Sequence, residues 1–240
     1  MTGTLHVVGT GPGDPELLTL RAVRLLGSVP TVAFFAKRGR TGHAHSIAAV
    51  HIPAGTEKLR FEYPYTTEIP VEDPRYEPAL TGFYAESAAL LAERLQAGAD
   101  VALLCEGDPF FYGSAMYLFD RLAARFPTAI TPGITAMSGC WGQARLPMTH
   151  GDDVLTVLPG TMPEGEMTRR LGDTQAAVIM KVGSNLPKIR RALDAAGLTA
   201  RATLVERGTL PDARMVPVAQ SGAAAPYFSL VLVPGRQGQR

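Results

Sequence analysis

GTGPGDPELLTLRA, residues 9–22, follows the short apolar run at positions 5–8. An apolar run, a glycine-rich turn and a helix-forming stretch in this order predict a strand that ends in a tight loop and enters a helix. The glycines lack Cβ atoms, so the backbone can turn sharply and another group can approach it closely. Asp14 suits an N-cap and Pro15 suits the first turn of the helix. Loops of this kind at strand ends are where α/β proteins bind small molecules.

This first loop matches neither common nucleotide-binding pattern. A Rossmann fingerprint needs glycine at its first, third and sixth positions, and the sixth position from Gly9 is Asp14. The acidic residue expected about twenty positions further on is absent, because the predicted strand 31–36 continues into Lys37 and Arg38. The chain also lacks the Gly-Lys-Ser/Thr ending of a Walker A loop. For this loop alone, a tight turn without a ligand is the better interpretation.

The composition is that of an ordinary globular protein. The chain has 240 residues, 46% of them hydrophobic and 19% charged, and a net charge of +1, so no overall field favours nucleic acid or an anionic membrane as a partner. We find no apolar run of about 20 residues and no secretory signal. The two cysteines, Cys105 and Cys140, fit neither a disulfide framework nor a zinc site. We therefore expect a cytoplasmic protein without a metal.

Strand-like and helix-like segments alternate along the chain, which predicts α/β architecture with largely parallel sheet and possible antiparallel pairing near the C-terminus. The predicted strands are 4–8, 31–36, 101–105, 128–131, 154–158, 176–181, 202–206 and 228–233. The predicted helices are 15–27, 43–50, 77–97, 113–125, 134–144, 164–171, 186–196 and 211–214. Residues 52–76 lack a clean period and are predicted to be a long excursion. We place a domain boundary near residue 147, giving domains 1–147 and 148–240.

Two further glycine-containing turns follow predicted strands. CEGDPFFYG, residues 105–113, comes after the uniformly apolar strand 101–105, and TPGITA, residues 131–136, comes after strand 128–131. Since carboxyl ends of parallel strands meet at one edge of a sheet, these turns and the first loop are expected to build one crevice. Any one of them alone is more simply explained as structural.

The strings GTGPGDPELLTLRA, EGDPFFYG, TPGITA, VIMKVG and VERGT occur in order across the whole chain. Together they resemble the S-adenosylmethionine-dependent tetrapyrrole methyltransferases of the cobalamin and sirohaem pathways. The longer strings CEGDPFFYGS, DDVLTVLPGT, VERGTLPDAR and APYFSLVLVPGR resemble the branch that methylates precorrin-2 at carbon 20. The resemblance implies two α/β domains of the tetrapyrrole methylase type with the cofactor crevice between them, and a homodimer.

The resemblance also assigns positions to the cofactor S-adenosylmethionine. Residues implied to contact it are Pro12, Glu106, Gly107, Asp108, Phe111, Thr135, Ala136, Met180, Lys181, Gly208 and Thr209. Asp108 has two compatible interpretations, because a carboxylate in an Asp-Pro turn can orient a ligand or cap the following backbone.

The substrate implied by the resemblance is a tetrapyrrole, precorrin-2, which carries carboxylates. Lys37, Arg38 and Arg40 follow predicted strand 31–36 and could meet these carboxylates through charge-assisted hydrogen bonds. Tyr63 could pack against the macrocycle. Further candidates are Arg60, Arg75 and Arg145 for carboxylates, and Phe61 and Tyr65 for the macrocycle. Taken singly, each cation is better explained as part of a solvated basic loop.

Methyl transfer from a sulfonium needs alignment of the donor and the carbon nucleophile, and neither a metal nor a covalent intermediate. A general base can assist loss of the proton from the methylated carbon, and the sequence assigns no catalytic residue to that role. Two alternatives stay open: methylation of cobalt-factor II at carbon 20, and a nucleotide-binding regulatory module without catalysis.

Overall fold

The computed structural model describes residues 1–66, 68–70 and 73–235, and the chain divides into two compact units, Met1–Thr135 and Ala136–Arg240. The predicted boundary near residue 147 lies later in the chain. The difference arises because the helix Ala136–Gln143 packs its Cys140 with the core of the second unit. Each unit has the α/β architecture that the alternating pattern predicts.

The first unit is built on a parallel sheet. Its strands are β1 (Leu5–Gly9), β2 (Thr31–Ala36), β3 (Glu57–Glu62), β4 (Val101–Cys105) and β5 (Thr128–Thr131), in the order β3-β2-β4-β1-β5. Its helices are α1 (Leu20–Leu26), α2 (His43–Ala48), α3 (Tyr76–Gln96) and α4 (Ala115–Leu122). Every pairing is parallel, so the carboxyl ends of β1, β4 and β5 lie side by side at one edge.

The central strands of this sheet are buried on both faces, as the unbroken apolar run of β4 predicts. Val7 and Leu103 pack in the core formed with α3 and α4. Their neighbours Val8 and Leu104 pack in a second core, formed with α1 and α2. Because successive side chains of a strand point to opposite faces, each strand contributes to both cores.

Two predictions for the first unit need correction. The excursion 52–76 contains β3, an edge strand in which only Phe61 is buried; an edge strand with polar side chains has no apolar period to detect. The predicted helix 15–27 is two elements, a 3₁₀ turn at Pro15–Leu17 and α1. The break follows from Thr19, whose hydroxyl accepts the Ala22 N–H at 3.2 Å and so begins a new helix.

The second unit contains a mixed sheet, with the antiparallel pairing that the sequence allowed. Its helices are α5 (Ala136–Gln143), α6 (Glu164–Gly172) and α7 (Leu186–Ala195), and its strands are β6 (Leu155–Pro159), β7 (Ala176–Met180), β8 (Thr203–Glu206), β9 (Arg214–Pro217) and β10 (Ser229–Val233). The strand order is β6-β7-β10-β8-β9. β10 runs antiparallel to both β7 and β8, so β6, β7 and β8 end at the same edge.

The predicted helix 211–214 is wrong. Arg214 begins β9, which pairs antiparallel with β8 and is exposed along most of its length. Exposed polar residues at a sheet edge resemble a short surface helix in sequence, and only the pairing with β8 distinguishes the two. Across the described residues, no helix is both long enough and apolar enough to cross a membrane.

The loops after β1 and β4 are joined by backbone hydrogen bonds. The Gly107 N–H donates to the Gly11 carbonyl at 2.8 Å, and the Gly11 N–H donates back to the Gly107 carbonyl at 3.3 Å. The Thr10 N–H also donates to the Cys105 carbonyl at 2.8 Å. The two loops therefore continue the contact between β1 and β4 beyond the sheet.

Three glycines allow the loops after β1, β4 and β5 to pack backbone against backbone. A Cβ atom on Gly133 would lie 2.0 Å from the Gly107 carbonyl oxygen, and one on Gly9 would lie 2.6 Å from the Gly133 nitrogen. Both distances are far inside van der Waals contact, and both neighbours are backbone atoms. The absence of side chains at these positions is therefore required by the contact between loops.

Replacing Gly133 with alanine is expected to force the loops apart and to lower the free energy of unfolding by at least about 2 kcal/mol. Gly82→Ala is the matched control, because a Cβ at this position in α3 meets nothing within 4 Å; it should stabilise the protein by about 0.5–1 kcal/mol. Urea unfolding measures both variants. A Gly133→Ala protein as stable as the wild type would contradict the packing described.

His45 on α2 gives the first unit a pH-dependent stability. Its Nε2 is buried and has no hydrogen-bond partner among the described residues, and its ring lies 4.4 Å from the ring of Phe34. Burial lowers the pKa of His45, and the Lys58 ammonium lowers it further. The folded protein therefore favours the neutral imidazole.

The unfolded chain binds this proton more tightly than the folded protein, so stability should fall as the pH drops below the ordinary histidine pKa of about 6.5. His45→Phe keeps the ring contact with Phe34 and removes the titrating nitrogen. Urea unfolding from about pH 7.5 to about pH 5.5 should show a smaller loss of stability for His45→Phe than for the wild type. His150→Phe, at an exposed position, should keep the wild-type slope; the same slope for His45→Phe would refute the assignment.

Candidate active site

Asp108 connects the second loop, which follows β4, to the third loop, which follows β5, through its carboxylate. One oxygen, Oδ1, accepts the Phe110 N–H at 2.9 Å, and the other, Oδ2, accepts the Gly133 N–H at 3.1 Å. Of the two roles predicted for Asp108, the structure contains the backbone-capping one. The hydrogen bond from the Gly133 N–H also joins two separate loops, so this carboxylate does more than cap a local turn.

Glu106 occupies the first position after β4, and its side chain is accessible to solvent. Its Oε1 accepts the Ala44 N–H of α2 at 3.2 Å. Desolvation by the surrounding protein raises the pKa of Glu106, and the electrostatic effect of His43 opposes this in part. The protein around Glu106 therefore favours the protonated carboxyl more than water does.

The other predicted cofactor residues of the first unit lie on the same three loops. Pro12 is half-buried beside Gly11 on the first loop. Phe111 is half-buried on the second loop, with its ring 5.0 Å from that of Tyr112. Tyr112 has a φ of 57°, a conformation that side chains rarely adopt and that recurs at functional sites. Thr135 ends the third loop, so the structure brings these residues to one edge.

In the second unit, the predicted residues Met180 and Lys181 stand at the carboxyl end of β7. The Met180 carbonyl accepts the Gly160 N–H at 2.6 Å. A Cβ on Gly160 would lie 2.7 Å from the Lys181 carbonyl oxygen, so this glycine also permits two strand ends to touch. Lys181 has a φ of 54°, which places a non-glycine residue in the left-handed region at this edge.

Gly208 and Thr209 follow β8 and lie at the same edge of the second sheet. A Cβ on Gly208 would lie 2.3 Å from the Sγ of Cys140, which fixes this turn against α5. Ala136, the remaining predicted cofactor residue, begins α5. Thr209 has a φ of 68°, and its Oγ1 is buried without a hydrogen-bond partner among the described residues.

Ser229, which the sequence analysis did not single out, repeats the feature seen at Thr209. Its Oγ is also buried and unpartnered within the described part of the chain, and it pairs with Glu206 where β10 begins. Buried hydroxyls normally have partners, so each of these two hydroxyls could form a hydrogen bond with a polar ligand at this edge. A lone serine before an apolar strand carries no sequence signal for this role.

The predicted substrate cations follow β2 and are exposed. The ammonium of Lys37 pairs with Glu68 at 2.8 Å, whereas Arg38 and Arg40 form no ion pair with any described residue. The further candidates are engaged elsewhere: Arg60 pairs with Glu62 at 2.6 Å and Arg75 with Asp73 at 2.7 Å. Arg145 lies in the second unit with a φ of 55°.

The predicted macrocycle aromatics pack mainly against the protein. Phe61 is only 4% exposed and belongs to the core, so its predicted contact with a macrocycle is wrong. The ring of Tyr63 lies 5.4 Å from Phe35 and 5.0 Å from Phe83. Tyr65 follows on the same segment and is partly buried.

The hydroxyl of Tyr63 belongs to a buried polar cluster that the sequence did not predict. Ser114 is a hydrogen-bond partner of both Tyr63 and Tyr84, and burial raises the pKa of both phenols. In sequence, Tyr84 is one member of the apolar stripe of α3, so nothing marks its hydroxyl. Among the described residues, no three His, Cys, Asp or Glu side chains lie together as a metal site would require.

Comparison with known proteins identifies the family. Residues 4–222 match the family described as Tetrapyrrole (Corrin/Porphyrin) Methylases. The chain is 56% identical over 234 residues to a precorrin-2 C(20)-methyltransferase of Sinorhizobium sp, covering 97% of this chain and 96% of that protein. It is 29% identical over 239 residues to the cobalt-precorrin-2 C(20)-methyltransferase of Salmonella typhimurium, covering 97% of each.

The fold of the chain also matches that of a solved structure. The uroporphyrin-III C-methyl transferase of Thermus thermophilus, complexed with S-adenyl homocysteine, aligns with a TM-score of 0.68 at 24% identity, covering 96% of each chain. The loops after β1, β4 and β5 and the strand ends of the second unit are thus parts of a known architecture. The chain belongs to the tetrapyrrole methylase family.

Proposed function

We propose that this protein transfers a methyl group from S-adenosylmethionine to carbon 20 of precorrin-2, giving precorrin-3A. The observation that carries the proposal is the 56% identity, over nearly the full length of both chains, to a precorrin-2 C(20)-methyltransferase. Family membership supports methyl transfer to a tetrapyrrole, and the high identity supports the particular ring carbon.

The residues fit S-adenosylmethionine as the donor. Bound donor would supply an electrophilic methyl group on a sulfonium. The buried hydroxyls of Thr209 and Ser229 have no hydrogen-bond partner among the described residues, so they could bind polar atoms of the donor. Gly107 packs between Gly11 of the first loop and Gly133 of the third, so these loops meet through backbone and not through side chains.

We assign two sets of residues to donor binding, and the sequence resemblance is the reason for joining them. Pro12, Glu106, Gly107, Asp108, Phe111 and Thr135 form the first set, and Ala136, Met180, Lys181, Gly208 and Thr209 form the second. Asp108 acts through the backbone: by accepting the N–H groups of Phe110 and Gly133, it holds two loops in the arrangement that would receive the donor. Such fixed positioning is the main source of rate in a displacement that needs no covalent intermediate.

Arg38 and Arg40 suit the carboxylates of the substrate. Both are exposed, and neither is neutralised by an ion pair within the described residues. A guanidinium can hold a carboxylate with two parallel hydrogen bonds. We propose that these arginines and Lys37 bind the acidic side chains of precorrin-2, with Tyr63 beside them, and that the active form is a homodimer.

A cobalt-containing substrate is the second candidate, supported by the 29% identity to a cobalt-precorrin-2 C(20)-methyltransferase. The higher identity to the precorrin-2 enzyme favours the metal-free substrate. A nucleotide-binding module without catalysis finds no support in the family match.

Incubation of the protein with precorrin-2 and methyl-¹³C S-adenosylmethionine, followed by NMR of the product, tests the proposed function. We expect the label on carbon 20. Label on another ring carbon would overturn the assignment of the ring position, and no labelled product would overturn the function. A parallel incubation with cobalt-factor II should give slower turnover than precorrin-2.

Replacing Thr209 with valine removes the orphaned hydroxyl and keeps the β-branched shape. Loss of one hydrogen bond to the donor should weaken S-adenosylhomocysteine binding about tenfold, as measured by calorimetry. Thr199→Val is the matched control, since Thr199 Oγ1 is equally buried and unpartnered but lies in a 3₁₀ turn before β8. Equal affinities in Thr209→Val and Thr199→Val would remove Thr209 from the donor site.

A further inference from the structure

Glu106 has a carboxyl group that is held in place and remains open to solvent. Its Oε1 accepts the Ala44 N–H at 3.2 Å, which restricts the side chain, and the residue is exposed although its neighbours Cys105 and Gly107 are buried. It follows β4 directly, next to Gly107. The carboxylate therefore stands at the carboxyl end of β4, against the first turn of α2.

The groups facing Glu106 come from three elements. His43 lies on α2, Cys105 ends β4, and Tyr63 follows β3; each interacts electrostatically with the Glu106 carboxyl. Desolvation outweighs the electrostatic effect of His43, so the pKa of Glu106 lies above its usual value. A carboxylate of raised pKa is a stronger base, nearer to the pH at which the enzyme works.

The neighbouring acidic groups are less suited to accept a proton. Both oxygens of Asp108 already accept backbone N–H groups. Burial raises the pKa of Cys105 to about 12, so the thiol keeps its proton. Burial also raises the pKa of the Tyr63 phenol, which therefore stays protonated.

We propose that Glu106 is the general base that removes the proton from the methylated carbon. This inference rests on the proposed function. In the reaction, the carbon–methyl bond forms as the sulfur–methyl bond breaks, and the electron pair of the broken bond stays on sulfur. The carbon–hydrogen bond of the same ring carbon then breaks, its electron pair returns to the macrocycle, and the proton passes to a Glu106 carboxylate oxygen and on to water.

Glu106→Gln separates this role from a structural one. Glutamine keeps an oxygen that can accept the Ala44 N–H, but it cannot take up a proton. With precorrin-2 as substrate, we expect kcat to fall about 10²–10⁴-fold, the range typical of a lost general base. The affinity for S-adenosylhomocysteine, measured by calorimetry, should stay within about twofold of the wild type, since glutamine keeps the length and the hydrogen-bonding oxygen with which residue 106 would contact the donor.

The pH profile gives a second readout. Wild-type kcat should fall as the pH drops through the raised pKa of Glu106, because protonation removes the base. The residual activity of Glu106→Gln should lack this limb. Glu106→Asp, which keeps a carboxylate on a shorter side chain, should recover part of the lost kcat.

Glu86→Gln is the matched control, because Glu86 is exposed on α3 and distant in sequence from the loops; it should keep wild-type kcat. A Glu106→Gln enzyme with kcat within a few-fold of the wild type would overturn the proposal, and so would a loss of activity accompanied by an equal loss of donor affinity. If the wild type itself fails to methylate precorrin-2, the proposed function is overturned. If the wild type and Glu106→Gln are both fully active, only the role of Glu106 is overturned.

Discussion

Contact between three glycine backbones is the constraint on which the first unit depends. Gly9, Gly107 and Gly133 end or follow adjacent parallel strands, and the space between them admits no side chain. The reciprocal hydrogen bonds of Gly11 with Gly107 and the Asp108 bond to Gly133 hold the loops in that contact. The loops are therefore fixed relative to one another, and fixed positioning is what methyl transfer requires above all.

The two acidic residues on either side of Gly107 have different roles because their surroundings differ. Asp108 is engaged by backbone N–H groups at both oxygens and fixes the loops. Glu106 is held at one oxygen, stays accessible and is desolvated by the protein around it. Asp108 thus holds the loops together, and we propose that Glu106, two positions earlier, removes the proton.

The sequence predicted most of this from local patterns, and its errors have physical causes. The buried strands β1 and β4 and the long helix α3 have strong apolar signals, and their positions were predicted to within a residue or two. The edge strands β3 and β9 were missed, because pairing at an exposed edge leaves no apolar period. In the site, motif spacing identified the loops, but the orphaned Ser229 hydroxyl and the Ser114 link between Tyr63 and Tyr84 exist only once the chain is folded. The mutual packing of the glycines was likewise visible only in three dimensions, and the ligand approach that the sequence suggested for them stays a prediction.

The most direct measurement is a crystal structure of the protein soaked with S-adenosylhomocysteine. The account predicts that the bound molecule contacts the backbone of residues 106–108 and 132–135. Density for the ligand at any other edge of the protein, with these loops untouched, would contradict it.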